Sequence, residues 1–178
     1  LAYAIITLRS NVQRVVSRLN AFYNSLLQIY ASKGMYPVNG VIELRATSLD
    51  QHNKVVPDGE SPLLSVLHPV DGHPEYDTAV WFSVLSFVHS PNQNEAFRTI
   101  EQFVFREFHG NESVVRVEWS KGFAYSLDEG AWTDPDVLNG FIPSTFPASW
   151  NYAISVFDKY DPHRIFTNEF LDQVLVKS

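Results

Sequence analysis

The spacing of apolar residues changes period twice within the first 47 positions, and each change marks an element. Tyr3, Ile5, Thr7 and Arg9 alternate with Ala4, Ile6 and Leu8, the two-residue period of a strand over 2–9. From Val12 the apolar positions fall three and four apart through Val15, Val16, Leu19, Phe22, Tyr23, Leu26, Leu27 and Tyr30. This predicts a helix that Ser10 or Asn11 caps and Gly34 follows. A second strand is expected over 40–47. The stretch 48–77, rich in Pro, Gly, His and Asp, has no sustained period and reads as a long loop with one short extended piece at 63–67. Loops of that length are often lids or binding loops. Residues 78–88 are apolar at nearly every position, as in a strand covered on both sides. Pro91 and Asn92 lead into a second helix carrying Phe97, Ile100, Phe103, Val104 and Phe108, which ends at Gly110, and a fourth strand follows over 113–119. Beyond it come a loop dense in aromatics (Phe123, Tyr125, Trp132, Phe141, Phe146) and a third helix with Trp150, Ala153, Ile154 and Phe157 as its apolar stripe. Asp161-Pro162 breaks that helix, and the tail over 165–176 is again apolar.

The order strand, helix, strand, strand, helix, strand predicts an α+β fold. Its core is a ferredoxin-like split β-α-β unit with an antiparallel sheet, both helices on one face, and long loop insertions. The other face is expected to stay free. Residues 1–148 form one domain in this reading, and the helix and tail of 149–178 carry enough apolar surface to dock on another domain.

That free face is where the charges fall. Glu43 and Arg45, two apart in Val41-Ile42-Glu43-Leu44-Arg45-Ala46, share one side of the second strand, while Ile42, Leu44 and Ala46 share the other. Arg116 and Glu118 repeat the arrangement on the fourth strand. Such pairs are either a solvated sheet face or the roof of a polar site, and Lys121 is by default a solvated loop lysine. Ser83 is the one hydroxyl in Val80-Trp81-Phe82-Ser83-Val84-Leu85. A buried serine usually bonds backbone, and no G-x-S-x-G elbow surrounds this one.

Composition narrows the chemistry. With 13 Lys+Arg against 20 Asp+Glu in 178 residues, there is no basic stripe to follow a phosphate backbone, so nucleic acid is set aside. The absence of cysteine excludes disulfides and thiolate metal sites and leaves the compartment open. His68, His73, His89 and Asp71 lack any recognised ligand spacing, so no metal is predicted. Glycine-rich phosphate loops are also absent, so a nucleotide cofactor would be held mainly by something outside this segment. Leu1 to Leu8 lack the basic start and cleavage signal of a secretory leader and are too short to span a bilayer. The opening inside a strand, without Met, suggests an excerpt of a longer protein.

Several blocks together carry a resemblance. Tyr30-Ala-Ser-Lys-Gly34, Pro37-Val-Asn-Gly40, Glu43-Leu-Arg45, Leu49-Asp-Gln51, Glu118-Trp-Ser-Lys-Gly122 and Asp161-Pro-His-Arg-Ile-Phe166-Thr-Asn168 resemble, in order, the substrate-binding domain of bacterial cholesterol oxidases with covalently bound FAD, of the vanillyl-alcohol-oxidase type. The resemblance covers most of residues 10–176. It implies an enzyme of which this chain is one domain, the cap over the flavin, while a separate FAD-binding domain of the same polypeptide holds the cofactor and receives the tail. A 3-hydroxysteroid such as cholesterol would be oxidised to the ketone and isomerised to the 4-en-3-one, with molecular oxygen reduced to hydrogen peroxide. The resemblance also implies a secreted or periplasmic bacterial protein. Carried over by position, Glu43, Arg45, Glu118 and Lys121 are the catalytic candidates, with Glu43 taking the hydroxyl proton. Ser83, Trp81 and Phe82 would meet substrate, and Lys121 and Asn168 would meet the cofactor. Relatives carry Asn where this chain has the shorter Ser83. The loops 48–77 and 120–148 are expected to line the sterol cavity. The E-x-R and W-x-K pieces alone also resemble sugar-alcohol and aldonolactone oxidases, and a non-catalytic ligand-binding module is a further alternative, because ferredoxin-like folds host unrelated functions.

Overall fold

Two strands whose residues are almost wholly apolar, β1 (Ala2–Thr7) and β3 (Thr78–Val84), form the middle of the sheet. β2 (Ile42–Ser48) and β4 (Ser113–Val117) carry the charges and form its edges, giving the order β2-β3-β1-β4. Every neighbouring pair is antiparallel. With α1 (Val12–Ser32) between β1 and β2, and α2 (Gln93–Glu107) between β3 and β4, this is the expected ferredoxin-like topology. The computed structural model describes residues 1–50 and 62–175; Gln51 and most of the predicted 48–77 loop's first half lie outside the described residues.

Alternation along each strand separates two faces. Tyr3, Ile5, Val80, Phe82, Val84, Val115 and Val117 point to the helices and pack with Val15, Leu19, Tyr23 and Leu26 of α1 and Phe97, Ile100 and Val104 of α2 in the main core. Ala4, Ile6, Ala79 and Trp81 point the other way and meet a second, smaller apolar cluster.

Several boundaries differ from expectation for local reasons. No side chain caps α1: a 3-10 turn over Arg9–Asn11 leads into it, and Asn11 instead donates to Thr7 Oγ1 at 3.2 Å. β3 stops at Val84 instead of running to 88. Leu85 N still bonds Val41 O at 3.0 Å, but Phe87 N turns to the Asn39 side chain at 3.0 Å, and the chain leaves the ladder. Gly40 permits this close approach, since a Cβ there would stand 2.6 Å from the Leu85 carbonyl oxygen. Over 63–67 the chain makes tight turns, without an extended piece.

The face away from the helices is not wholly free. Leu49, Val66 and Tyr76 cover Ala4, Ile6 and Ala79, with Asp50 N bonded to Leu67 O at 2.9 Å. The aromatic segment after β4 is also more ordered than a cavity-lining loop. A π-helical turn (Val137–Phe141) runs into α3 (Ile142–Ser144), and Phe123, Tyr125, Leu138, Ile142 and Phe146 join the main core. In α4 (Trp150–Tyr160), Trp150, Ala153 and Ile154 are buried but Phe157 is 47% exposed. A short α5 (Glu169–Val174), which the pattern did not separate from the tail, buries Val174 in the same core.

Candidate functional site

Register puts the predicted charges in two rows across the open face. Glu43 lies opposite Ser83, Ser83 opposite Ala2, and Ala2 O accepts from Glu118 N at 3.2 Å, so one row reads Glu43, Ser83, Ala2, Glu118. The next reads Arg45, Trp81, Ala4, Arg116. The residues at the middle of the first row, Ser83 and Ala2, are small, so the floor between the two carboxylates is low. Arg45 extends over it. Its Nε is 3.4 Å from Glu43 Oε1, its Nη2 is 3.8 Å from Glu118 Oε2, and its guanidinium carbon is 5.7 Å from the centre of the Trp81 ring, within reach of a cation–π contact. Trp81 is fixed in turn, donating from Nε1 to Thr47 Oγ1 at 2.8 Å. The structure thus joins Glu43, Arg45 and Glu118, from opposite edges of the sheet, into one charged group.

Burial grades across that group. The Glu43 and Arg45 side chains are about half exposed, at 48% and 49%, whereas Glu118 is 14% exposed. Two buried oxygens here lack a hydrogen-bond partner, Ser83 Oγ and Glu118 Oε2. Buried polar atoms are almost always satisfied, so Ser83 Oγ and Glu118 Oε2 keep unused hydrogen-bonding capacity, as do Tyr76 Oη and Arg98 Nε elsewhere among the described residues. Glu118 Oε1 is engaged, accepting from Ser120 Oγ at 3.0 Å.

Lys121 sits on the turn after β4, with its N bonded to Glu118 O at 3.0 Å and its carbonyl accepting from Trp132 Nε1 at 3.3 Å. Trp132 stands 5.8 Å from Phe170 of α5, and that helix is capped by Asn168, whose Oδ1 accepts from Leu171 N at 2.9 Å. Asn168 therefore reaches the site's margin only through α5, and its side-chain oxygen is committed to the cap.

Two expectations are corrected. Phe82 is fully buried on the helical face and has no access to the row that holds Ser83. Arg116 shares Arg45's row, yet it is 2% exposed and donates to the carbonyls of Thr145 (3.2 Å), Val66 (3.3 Å) and His68 while lying 4.4 Å from the centre of the Phe146 ring. Burial lowers its pKa to about 10, so it stays charged at neutral pH, as a clasp for the covering segments. Pattern reading also missed Glu101, a fully buried carboxylate on the helical side; in sequence it is one more polar position of an amphipathic helix. The histidines are scattered: His73 is paired with Glu75 at 3.0 Å and stacked on Tyr76, and among the described residues no group of three His, Asp or Glu could hold a metal. An apolar cavity of about 510 Å³ lies between α4 and α5, lined by Ile154, Phe157, Tyr160, Phe166, Leu171 and Leu175; none of the candidate residues borders it.

The arrangement is that of an α+β domain whose helices close one sheet face and whose other face carries the Glu43, Arg45 and Glu118 group. The chain belongs to the cholesterol oxidase substrate-binding domain family, which matches residues 1–176. Among solved structures it is similar to a solvent-stable cholesterol oxidase, with 38% identity and a TM-score of 0.92, over 98% of this chain and 34% of that one. It is also similar to the cholesterol oxidase of Brevibacterium sterolicum, with 32% identity and a TM-score of 0.92, over 97% of this chain and 33% of that one. A point mutant of the Brevibacterium sterolicum enzyme aligns with a TM-score of 0.91. No curated protein matches. The chain spans about a third of the length of the structures it matches.

Proposed function

We propose that this chain is the substrate-binding part of an FAD-dependent sterol oxidase. It would hold a 3-hydroxysteroid such as cholesterol for oxidation to the ketone, with isomerisation to the 4-en-3-one and oxygen reduced to hydrogen peroxide. The observation that carries the reading is the half-exposed Glu43 and Arg45 joined to Glu118 across the small residues Ser83 and Ala2. A secondary alcohol fits it: the substrate hydroxyl meets the half-exposed Glu43, which takes the hydroxyl proton on Oε2, since Oε1 is turned to Arg45. Arg45 places fixed positive charge beside the oxygen on which negative charge develops.

Bound FAD supplies the two-electron acceptor for the alcohol. The residues present fit such a group: the buried Glu118 Oε2 and the guanidinium of Arg45 offer an acceptor and donors on the open face, and Lys121 a second cation at its margin. That the neighbours are about three times as long supports a further domain of the same polypeptide that closes over this face and takes up α4, α5 and the exposed Tyr160, Ile165 and Phe166.

Sterol is favoured over a sugar alcohol by the next row on the same face. Val41 and Leu85, beyond Glu43 and Ser83, are 65% and 49% exposed, an apolar seat beside the proton acceptor. Peroxide release by the intact, FAD-loaded polypeptide tests the choice. Cholesterol is expected to be turned over and a sugar alcohol ignored; the opposite preference would overturn the sterol reading, and no peroxide with either would favour a binding module.

A further inference from the structure

We propose that Glu101 is a positioning residue for this reaction, holding from the helical side of the sheet the turn that presents Lys121 at the margin of the open face. The proposal rests on the reading above, in which Lys121 works at that margin.

Glu101 is 1% exposed in the middle of α2, facing the main core. A carboxylate in such a place is costly unless fully bonded, so its partners define its purpose. They are the Tyr3 hydroxyl and the backbone N–H groups of Ala124 (2.6 Å) and Tyr125 (3.0 Å), the first two on Oε1 and the third on Oε2. Two of the three donors therefore belong to the segment just past Lys121. Ala124 is held there at φ 54, a left-handed conformation that a residue with a Cβ adopts only when its surroundings impose it.

From Ala124 and Tyr125 the restraint passes back to Lys121 by two routes. Ala124 O accepts from Thr133 N (2.9 Å) and Asp134 N (3.0 Å), and Phe123 O accepts from Trp132 N (2.7 Å), so the returning strand of the loop is pinned and Trp132 Nε1 reaches Lys121 O. The Tyr125 hydroxyl packs directly on Gly122, where any Cβ would collide with it. Independently of Glu101, Ala2 N donates to Gly122 O at 3.2 Å and ties the same turn to β1.

The carboxylate cannot be exchanged for an amide without loss. Glutamine has one acceptor oxygen, and in either orientation its NH₂ would face a backbone N–H, of Ala124 or of Tyr125. Assayed at about pH 8, where Glu101 is ionised, Glu101→Gln in the intact, FAD-loaded enzyme is therefore expected to lower kcat for cholesterol roughly tenfold while KM and flavin content stay within about twofold. In a Lys121→Met background it should lower kcat no further, because both changes remove one contribution. Gly122→Ala, which pushes Tyr125 off the turn, carries the same test if Glu101→Gln does not accumulate folded. A kcat equal to that of the unaltered enzyme, or losses that multiply in the double variant, would overturn the positioning role. Failure of the unaltered enzyme to oxidise cholesterol would instead overturn the function on which it rests.

Discussion

Arg45 and Arg116 stand at opposite ends of one row of one sheet face, point to the same side, and have opposite fates. Arg116 is buried among the carbonyls of Val66, His68 and Thr145 and covered by the Phe146 ring. Arg45 is half exposed between two carboxylates. A guanidinium buried at 2% exposure, with Nε and Nη1 given to the chain's own carbonyls, is closed to a ligand; its role is to hold two loops on the sheet. One whose contacts are 3.4 and 3.8 Å ion pairs keeps most of its five N–H donors for an incoming group. The chain thus seals one end of the face and leaves the other exposed.

The sharpest way to break this contrast is truncation of each arginine. Arg116→Met strands three carbonyls in a buried place, and the denaturant midpoint should fall by the equivalent of about 3 kcal/mol or more. Arg45→Met should cost less than about 1 kcal/mol in the same measurement, as exposed ion pairs do. Equal losses at the two positions would end the distinction.

Glu101 extends the comparison to a buried acid. Burial raises its pKa from the ordinary 4.5 to about 7, against the opposing pull of Tyr3 and the Ala124 and Tyr125 amides and with a smaller push from Asp134. Between those values the folded protein holds a proton that the unfolded chain has lost. Its contribution to stability is therefore greatest below pH 4.5 and declines as pH rises to about 7, by at most about 3 kcal/mol. Urea midpoints across that range should show the decline in the native sequence and a flatter profile in Glu101→Gln; identical profiles would remove Glu101 as its source.

Smaller effects bound the others. A double-variant cycle on Arg45 and Glu118 should give a coupling of about 1 kcal/mol, since Glu118 is shielded and Arg45 is not. Arg14→Ala, which deletes a 2.9 Å pair with Glu112 between side chains 44% and 60% exposed, should change stability by less than about 0.5 kcal/mol.

What could be read from residue order was what local periodicity controls. The two-residue period put Glu43 with Arg45 on a common face, and the succession of elements led to the ferredoxin-like topology. The same period places Phe82 on the other side from Ser83, with the residues that face the helices. Arg116 and Arg45 could not be told apart, because the carbonyls that bury Arg116 come from residues up to 50 positions away in sequence. Glu101 was hidden for the same reason: its amide partners lie 23 and 24 residues downstream. Strand β3 is shorter than its hydropathy suggests because Leu85, Phe87 and Val88 are apolar yet exposed, so hydropathy continues where hydrogen bonding stops.

The claim on which the rest turns is that the open face bearing Glu43 is where a sterol alcohol gives up its proton. Steady-state oxidation of cholesterol by the intact, FAD-loaded Glu43→Gln enzyme tests it most directly. The account predicts a kcat lower by about 100-fold or more with KM changed by less than about threefold. A kcat unaltered by the substitution would contradict it.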